Sequence, residues 1–346
     1  MNKKYVIDGS FTLEKMTGIQ RMAYETVYAL DENANDFDIQ LLVPIGVKSK
    51  LKILHTIKVV EKGEPTTKRD WYCKYPIKYA ILNKRVLINI AEPFPCQYNG
   101  IVTIADVRLK EGMFNETTRW KIASDLKMML ATRISKKIIT ISEFSKERIQ
   151  SLYHVKPEKL EVIPCAWQHY RNIGLDLKIF EKYPEIVKGG YYYSVGSLAP
   201  HKNYKWIYEN AKNNPEIQYV VTGGKREVWR AEGFGNLNNI IYTGYITDEE
   251  MKALMINSKA FVFPTLYEGF GIPPMEALSV GVKCIVSDIP VMHEIYGDSV
   301  SYIDPHKYDI SIDQIELVDS SKYAQVLNNY SWENTAKKWL EVLSRM

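Results

Sequence analysis

Residues 260–288, AFVFPTLYEGFGIPPMEALSVGVKCIVSD, pack a strand, a glycine-bracketed loop, a helix and a second strand into one unbroken unit. Ala260–Phe263 is a short apolar run closed by Pro264, the pattern of a strand buried on both faces of a parallel sheet. Gly269 and Gly271 let the loop turn sharply and bring its backbone close to a ligand. Pro273 suits the first helical position, where a missing N–H costs nothing, and Gly281 suits the site just past the helix end. Residues 282–287 form the next strand. In an open α/β sheet, ligands bind beyond the carboxyl ends of the strands, and a helix N-terminus there is an anion site. Glu268 and Glu276 bracket this turn, either as dipole complements on a solvated face or as groups that meet a ligand.

Glu268-Gly269-Phe270-Gly271 followed by Pro273-Pro274-Met275-Glu276-Ala277 resembles the E-x7-E segment of the family 4 glycosyltransferases. Gly281, Val286, Ser287, Asp288, Pro290 and Glu294 extend the resemblance downstream. It implies an α/β protein of the GT-B fold, two Rossmann-like doubly wound domains facing a central cleft. It also implies that Glu276 holds the ribose hydroxyls of a nucleotide and that Glu268 sits against the donor sugar.

A chain of 346 residues suits two domains of about 150 residues each. Apolar content of 46% and charged content of 25% are those of a globular protein. No run approaches the roughly 18 to 20 apolar residues of a membrane span, and the N-terminus enters a strand pattern with no apolar leader. Cys73, Cys96, Cys165 and Cys284 lie far apart with no C-x-x-C pair, which fits a reducing cytoplasm better than a disulfide frame or a zinc site. The net charge of +4 is too mild for a nucleic-acid protein. The stretch 119–137 is locally basic, with Arg119, Lys121, Lys127, Arg133, Lys136 and Lys137 against Asp125 alone. Ile122, Leu126, Met129, Leu130 and Ile134 recur there at helical spacing, so the expectation is a core-packed helix with a solvated basic face. A surface for anionic lipid or a lipid-linked diphosphate is the other reading.

Outward from the central unit, strands and helices alternate. The first half reads as strand 5–8, a loop at Gly18, helix 21–30, strand 39–43, helix 71–84, strands 86–90 and 100–104, the basic helix and strand 138–141. Ser142 then caps helix 146–153. TISEFSKERIQSLYHVKPEKLEVIP, residues 140–164, resembles the last βαβ of the same family's N-terminal domain. Periodicity fails over 169–190, which is read as the linker between a domain over 1–168 and one over 191–330. The second domain alternates strand 191–195, helix 204–213, strand 217–222, helix 225–232, strand 240–242 and helix 248–256 before the central unit. Helix 332–343, capped by Ser331, resembles the family's terminal helix that crosses back to the first domain.

The loop Gly196-Ser197-Leu198-Ala199-Pro200-His201-Lys202-Asn203 follows a strand and precedes a helix, so Lys202 projects over the sheet's carboxyl edge as a point charge for a diphosphate. It matches the family pattern G-x-x-x-x-x-K-N, although Ser197 replaces the usual arginine, leaving His201 or another group to share the load. The leaving diphosphate gains negative charge during transfer, and Lys202, the amides of Phe270–Ile272 and the Gly18 loop are the expected stabilisers without a metal. Asp36-Phe37-Asp38 has the letters of a metal-binding Asp-x-Asp but precedes its strand, so it reads as a solvated turn. Gly223, Gly224, Tyr245 and Ile246 are expected to let the nucleoside approach the backbone. Relatives carry His-Asp where this chain has Ala105-Asp106, which shifts a role to Asp106 or Arg108 or weakens the enzyme.

The combined expectation is a retaining, metal-independent, cytoplasmic hexosyltransferase. It would move rhamnose, mannose, glucose or galactose from a nucleotide sugar to a growing glycan or lipid-linked oligosaccharide at the inner face of the plasma membrane. A GT-B sugar-nucleotide epimerase is the rival among enzymes, and a non-catalytic nucleotide-sugar-binding partner of a transferase is the rival outside them.

Overall fold

The structure, a computed structural model, describes residues 3–64, 67–94, 96–112, 117–197, 199–224 and 234–346. The chain divides into two compact units: the boundary falls after Ala166, and Ser331–Met346 returns to the first unit.

The first unit is built on strands β1 (Lys4–Asp8), β2 (Asp38–Val43), β3 (Lys58–Glu61), β4 (Val86–Asn89), β5 (Ile101–Thr103), β6 (Lys137–Thr140) and β7 (Leu160–Val162). They form one parallel sheet in the order β3-β2-β1-β4-β5-β6-β7. Its helices are α1 (Gly18–Asn33), α2 (Lys68–Lys74), α3 (Pro76–Leu82), α4 (Thr118–Ile134) and α5 (Glu143–Tyr153). The single helix expected over 71–84 is two, because Pro76 cannot donate to the preceding turn and instead opens α3 from Tyr75. Edge strand β3 was not anticipated, since its four half-exposed residues lack an apolar face.

The second unit carries α6 (Ile179–Lys182), β8 (Tyr191–Val195), α7 (Tyr204–Asn213), β9 (Gln218–Thr222), β10 (Ile240–Gly244) and α8 (Asp248–Ile256). It continues with β11 (Ala260–Phe263), α9 (Ile272–Ser279), β12 (Cys284–Ser287), α10 (Pro290–Tyr296), β13 (Ser301–Ile303) and α11 (Tyr323–Asn329). Its parallel sheet has the order β10-β9-β8-β11-β12-β13. Every residue of β11 and β12 is buried, as a central parallel strand covered on both faces requires. Trp206, Tyr219, Val262, Ile285 and Ile303 belong to its core. The helix expected over 225–232 lies outside the described residues.

Two expectations change. The segment 169–190, read as a linker, is integrated into the second unit, with a 3-10 turn at Gln168–Asn172 and α6. Tyr170 and Ile179 are buried, and Lys252 Nζ donates to the carbonyls of Tyr170, Arg171 and Ile173 at 2.9, 3.3 and 2.6 Å. Side chain to backbone bonds hold this segment, so it has no period to read. Helix α4 forms as expected, with Ile134 packed toward the core and Met129 half-buried, but three of its apolar residues turn outward: Ile122, Leu126 and Leu130 are 57%, 55% and 46% exposed, while Met128, Ala131 and Thr132 face the core. At 3.6 residues per turn the stripe 122, 126, 130 lies roughly 160° from that inner face.

The last helix, α12 (Trp332–Ser344), starts at Ser331, whose Oγ accepts from Asn334 N at 3.1 Å. It packs on α1 and buries Trp332, Ala336, Trp339, Val342 and Leu343.

Candidate active site

In the second sheet the chain runs outward from β8 through β9 to β10, then returns to place β11 on the other side of β8. Loops leaving β8 and β11 therefore separate above adjacent strands, the topological switch point at which open α/β sheets bind ligands. Three contacts fix how these loops meet. The His201 carbonyl accepts from Leu266 N and Thr265 Oγ1, both at 2.7 Å. Asn203, held at φ 52°, precedes α7 and donates from Nδ2 to the carbonyls of Pro264 and Pro305 at 2.8 and 2.9 Å. Gly223 packs so tightly on the β8 loop that a Cβ there would stand 2.1 Å from the Gly196 carbonyl oxygen.

This bracing brings together two residues that lie 66 positions apart: Lys202 Nζ is 2.5 Å from Glu268 Oε1. Glu268 is only 8% exposed, and the hydroxyl of Thr265 stands 3.1 Å from the same carboxylate oxygen. Lys202 Nζ also lies 5.0 Å from the centre of the Phe263 ring. Net stabilisation by a buried ion pair is small, because desolvation offsets most of the attraction. What the pair supplies is a cation and an anion at fixed positions on the sheet's carboxyl edge.

The second part of the site is the turn into α9. Gly271 adopts φ +88°, and a Cβ would meet the Met292 methyl at 2.9 Å, so both conformation and space call for glycine. The buried Tyr296 hydroxyl donates to the Gly271 carbonyl. Phe270 packs edge-on against Tyr330 at 5.3 Å. With the side chains of Phe270 and Ile272 buried, this loop can offer a ligand its backbone amides. Further along α9, Glu276 Oε1 lies 2.8 Å from His169 Nε2. Sequence reasoning missed His169, which lies in the segment taken for a linker, as well as Lys252 and Thr265; Asn203 was part of the loop pattern, but its bracing of the Pro264 and Pro305 carbonyls was not read from it. Each of the missed residues acts through backbone or through another side chain, which leaves no motif.

The remaining expected residues are placed as follows. Ser197 is exposed, whereas the His201 ring is 3% exposed and its carbonyl carries the loop contacts. Gly223 and Gly224 follow β9, and Tyr245, exposed, and Ile246 follow β10, all on the same carboxyl edge. In the first unit, Gly18 is the exposed first residue of α1, and a Cβ there would meet nothing within 4 Å. Asp106 follows β5 and pairs with Arg108 across 3.4 Å, while accepting from its backbone N–H at 3.1 Å. Asp38 of the Asp-x-Asp letters opens β2 and is held by Arg85 at 2.8 Å. Among the described residues, no three His, Cys, Asp or Glu side chains cluster as metal ligands, and no helix is long and apolar enough to cross a membrane.

Residues 176–338 match the family described as glycosyl transferases group 1. The O-antigen chain mannosyltransferase B of Escherichia coli is 27% identical over 222 residues, 58% of this chain and 58% of that protein. The O-antigen chain mannosyltransferase RfbU of Salmonella typhimurium is 26% identical over 265 residues, 73% of this chain and 71% of that one. Over these residues the chain is similar to glycosyltransferases. Its match thus spans little more than half the length of the first of these relatives. A solved structure of Anabaena HepE in complex with UDP-glucose superposes with a TM-score of 0.71 over 99% of this chain and 100% of that one, at 13% identity. At that identity the likeness is one of fold, GT-B. The family match covers the whole edge that carries Lys202, Glu268 and Glu276.

Proposed function

We propose that this protein is a glycosyltransferase that moves a hexose, with retention, from a nucleotide sugar to a growing, lipid-linked polysaccharide. The observation that carries the reading is the Lys202–Glu268 pair, held at the switch point beside the Gly271 turn that opens α9, the helix bearing Glu276. Lys202 and the amides at the start of α9 suit a leaving diphosphate, Glu268 suits sugar hydroxyls, and Glu276 suits a ribose. The names of the two relatives favour mannose among rhamnose, mannose, glucose and galactose. They also favour a glycan acceptor.

As the glycosidic bond breaks, charge grows on the leaving phosphates, and only contacts that strengthen in that transition state raise turnover. In the unliganded pair the ammonium is neutralised by Glu268, so an arriving diphosphate competes for a cation already positioned. Lys202→Ala should lower kcat by on the order of 100-fold, about 2.7 kcal/mol, with a smaller change in donor Kd. A variant with weaker donor affinity but wild-type kcat at saturation would remove the catalytic role. Turnover independent of metal belongs to the same proposal, because a fixed cation and oriented amides do the work assigned elsewhere to a divalent ion. Activity abolished by EDTA and restored by Mn²⁺ or Mg²⁺ would contradict it.

A second observation concerns location. Ile122, Leu126 and Leu130 form an exposed stripe on α4, and helical spacing puts Arg119 and Arg133 at its two ends. An apolar stripe closed by cations suits the headgroup layer of an anionic membrane, where a lipid-linked acceptor resides.

A further inference from the structure

Glu276 has one side-chain partner among the described residues, and it comes from a distant part of the second unit. His169 Nε2 lies 2.8 Å from Glu276 Oε1, with the imidazole 2% and the carboxylate 16% exposed. An ionised carboxylate only accepts hydrogen bonds, so His169 Nε2 is the donor. The bond occupies one oxygen from the buried side and leaves the other for a ligand.

His169 itself is held with unusual thoroughness. It sits in the turn Gln168–Asn172, whose terminal carbonyls converge on the ammonium of Lys252 from α8, at 2.9 Å for Tyr170, 3.3 Å for Arg171 and 2.6 Å for Ile173. Burial lowers the pKa of that ammonium from the ordinary lysine value, and the three carbonyls supply its hydrogen bonds. On the other side, Trp167 Nε1 donates to the Leu327 carbonyl at 3.0 Å and Gln168 Nε2 to the Tyr330 carbonyl at 2.9 Å. Tyr330 is the residue against which Phe270 packs. The turn bearing His169 is therefore anchored to the same elements that shape the entrance to α9.

We infer that His169 is a positioning residue for Glu276, orienting its carboxylate for a cis-diol, and that Lys252 is the anchor that keeps His169 in place. A glutamate has three side-chain torsions to order when it grips a ligand, and a partner that orders them in the free protein removes that cost from binding. The inference rests on the ribose role proposed for Glu276. It adds two residues that no motif contains.

The test is a titration of GDP and UDP, each paired with its 2′,3′-dideoxy counterpart, against wild type, His169→Ala, His169→Gln and Lys252→Met. Wild type should prefer the ribonucleotide. His169→Ala should weaken ribonucleotide binding about tenfold or more, equivalent to roughly 1.4 kcal/mol, and leave the dideoxynucleotide unchanged. His169→Gln, whose amide nitrogen can replace Nε2 as donor, should recover most of the loss. Lys252→Met should reproduce the selective loss in weaker form. Full ribose preference in His169→Ala, or equal weakening of both nucleotides, overturns the inference while leaving the role of Glu276 intact. A wild type that does not distinguish the two sugars removes the ribose reading and this inference with it.

Discussion

Helices α4 and α12 carry similar patterns and meet opposite fates. Both place apolar residues at helical spacing among charged ones and both are packed in the first unit. In α12 the apolar positions face inward: Trp332, Trp339, Val342 and Leu343 are all buried. In α4 small and medium residues, Met128, Ala131 and Thr132, take the inner face, while Ile122, Leu126 and Leu130 point to solvent. Periodicity thus establishes that a helix forms and how wide its apolar stripe is, but a helix can have two such stripes. Which one is buried depends on the neighbour that covers it, and period alone does not name that neighbour.

The largest expected effect breaks the buried side of this comparison. Trp339 is almost fully buried on the α12 face that meets the sheet and α1, so Trp339→Ala should destabilise the first unit by about 3–5 kcal/mol. Chemical denaturation followed by circular dichroism measures it; a loss below about 1 kcal/mol would mean that α12 is no more integral than α4. A middle-sized effect sharpens the same point. Tyr5 of β1 donates its hydroxyl to the Leu343 carbonyl at 2.7 Å, tying the end of α12 to the sheet. Tyr5→Phe should cost about 1 kcal/mol, read from the same transition, and no change would show that apolar packing alone holds the helix end.

The same contrast explains what could be read without coordinates. The β11–α9–β12 unit was legible because its constraints are local: a both-faces-buried strand, a glycine at positive φ, a proline in the first helical turn and a short return strand. Lys202 was legible from its register in a loop. Its pairing with Glu268 was not, since that depends on two loops being neighbours above β8 and β11 and on Asn203 and Thr265 bracing them. His169 was invisible for a stronger reason. The turn that carries it is stabilised by Lys252, Leu327 and Tyr330 through backbone carbonyls, so its sequence need only avoid clashes, and nothing periodic marks it. Edge strands β3 and β13 were missed because three or four residues at a sheet margin do not sustain a pattern.

The smallest effect on folding belongs to α4, and there the expected change lies elsewhere. Leu126→Ser with Leu130→Ser alters two residues that are about half exposed, so stability should move by less than about 1 kcal/mol, most of it helix propensity. Nucleotide affinity should stay at the wild-type value, since both residues lie in the first unit and Lys202, Glu268 and Glu276, the groups proposed to bind the nucleotide sugar, in the second. If the stripe enters an anionic interface, however, the same change removes apolar area where it counts, each leucine being worth roughly 1.5–3 kcal/mol on full burial. Cosedimentation with phosphatidylglycerol–phosphatidylcholine vesicles should then fall by about tenfold or more. Arg119→Gln with Arg133→Gln should lower it as well, by about 1 kcal/mol per charge at low salt and less as salt rises. The two kinds of variant separate the apolar from the electrostatic contribution. Wild-type protein that fails to sediment with anionic vesicles, or a double-serine variant that sediments as well as wild type, would show that the exposed stripe of α4 does not serve a membrane and would return it to the status of an uncovered helix face.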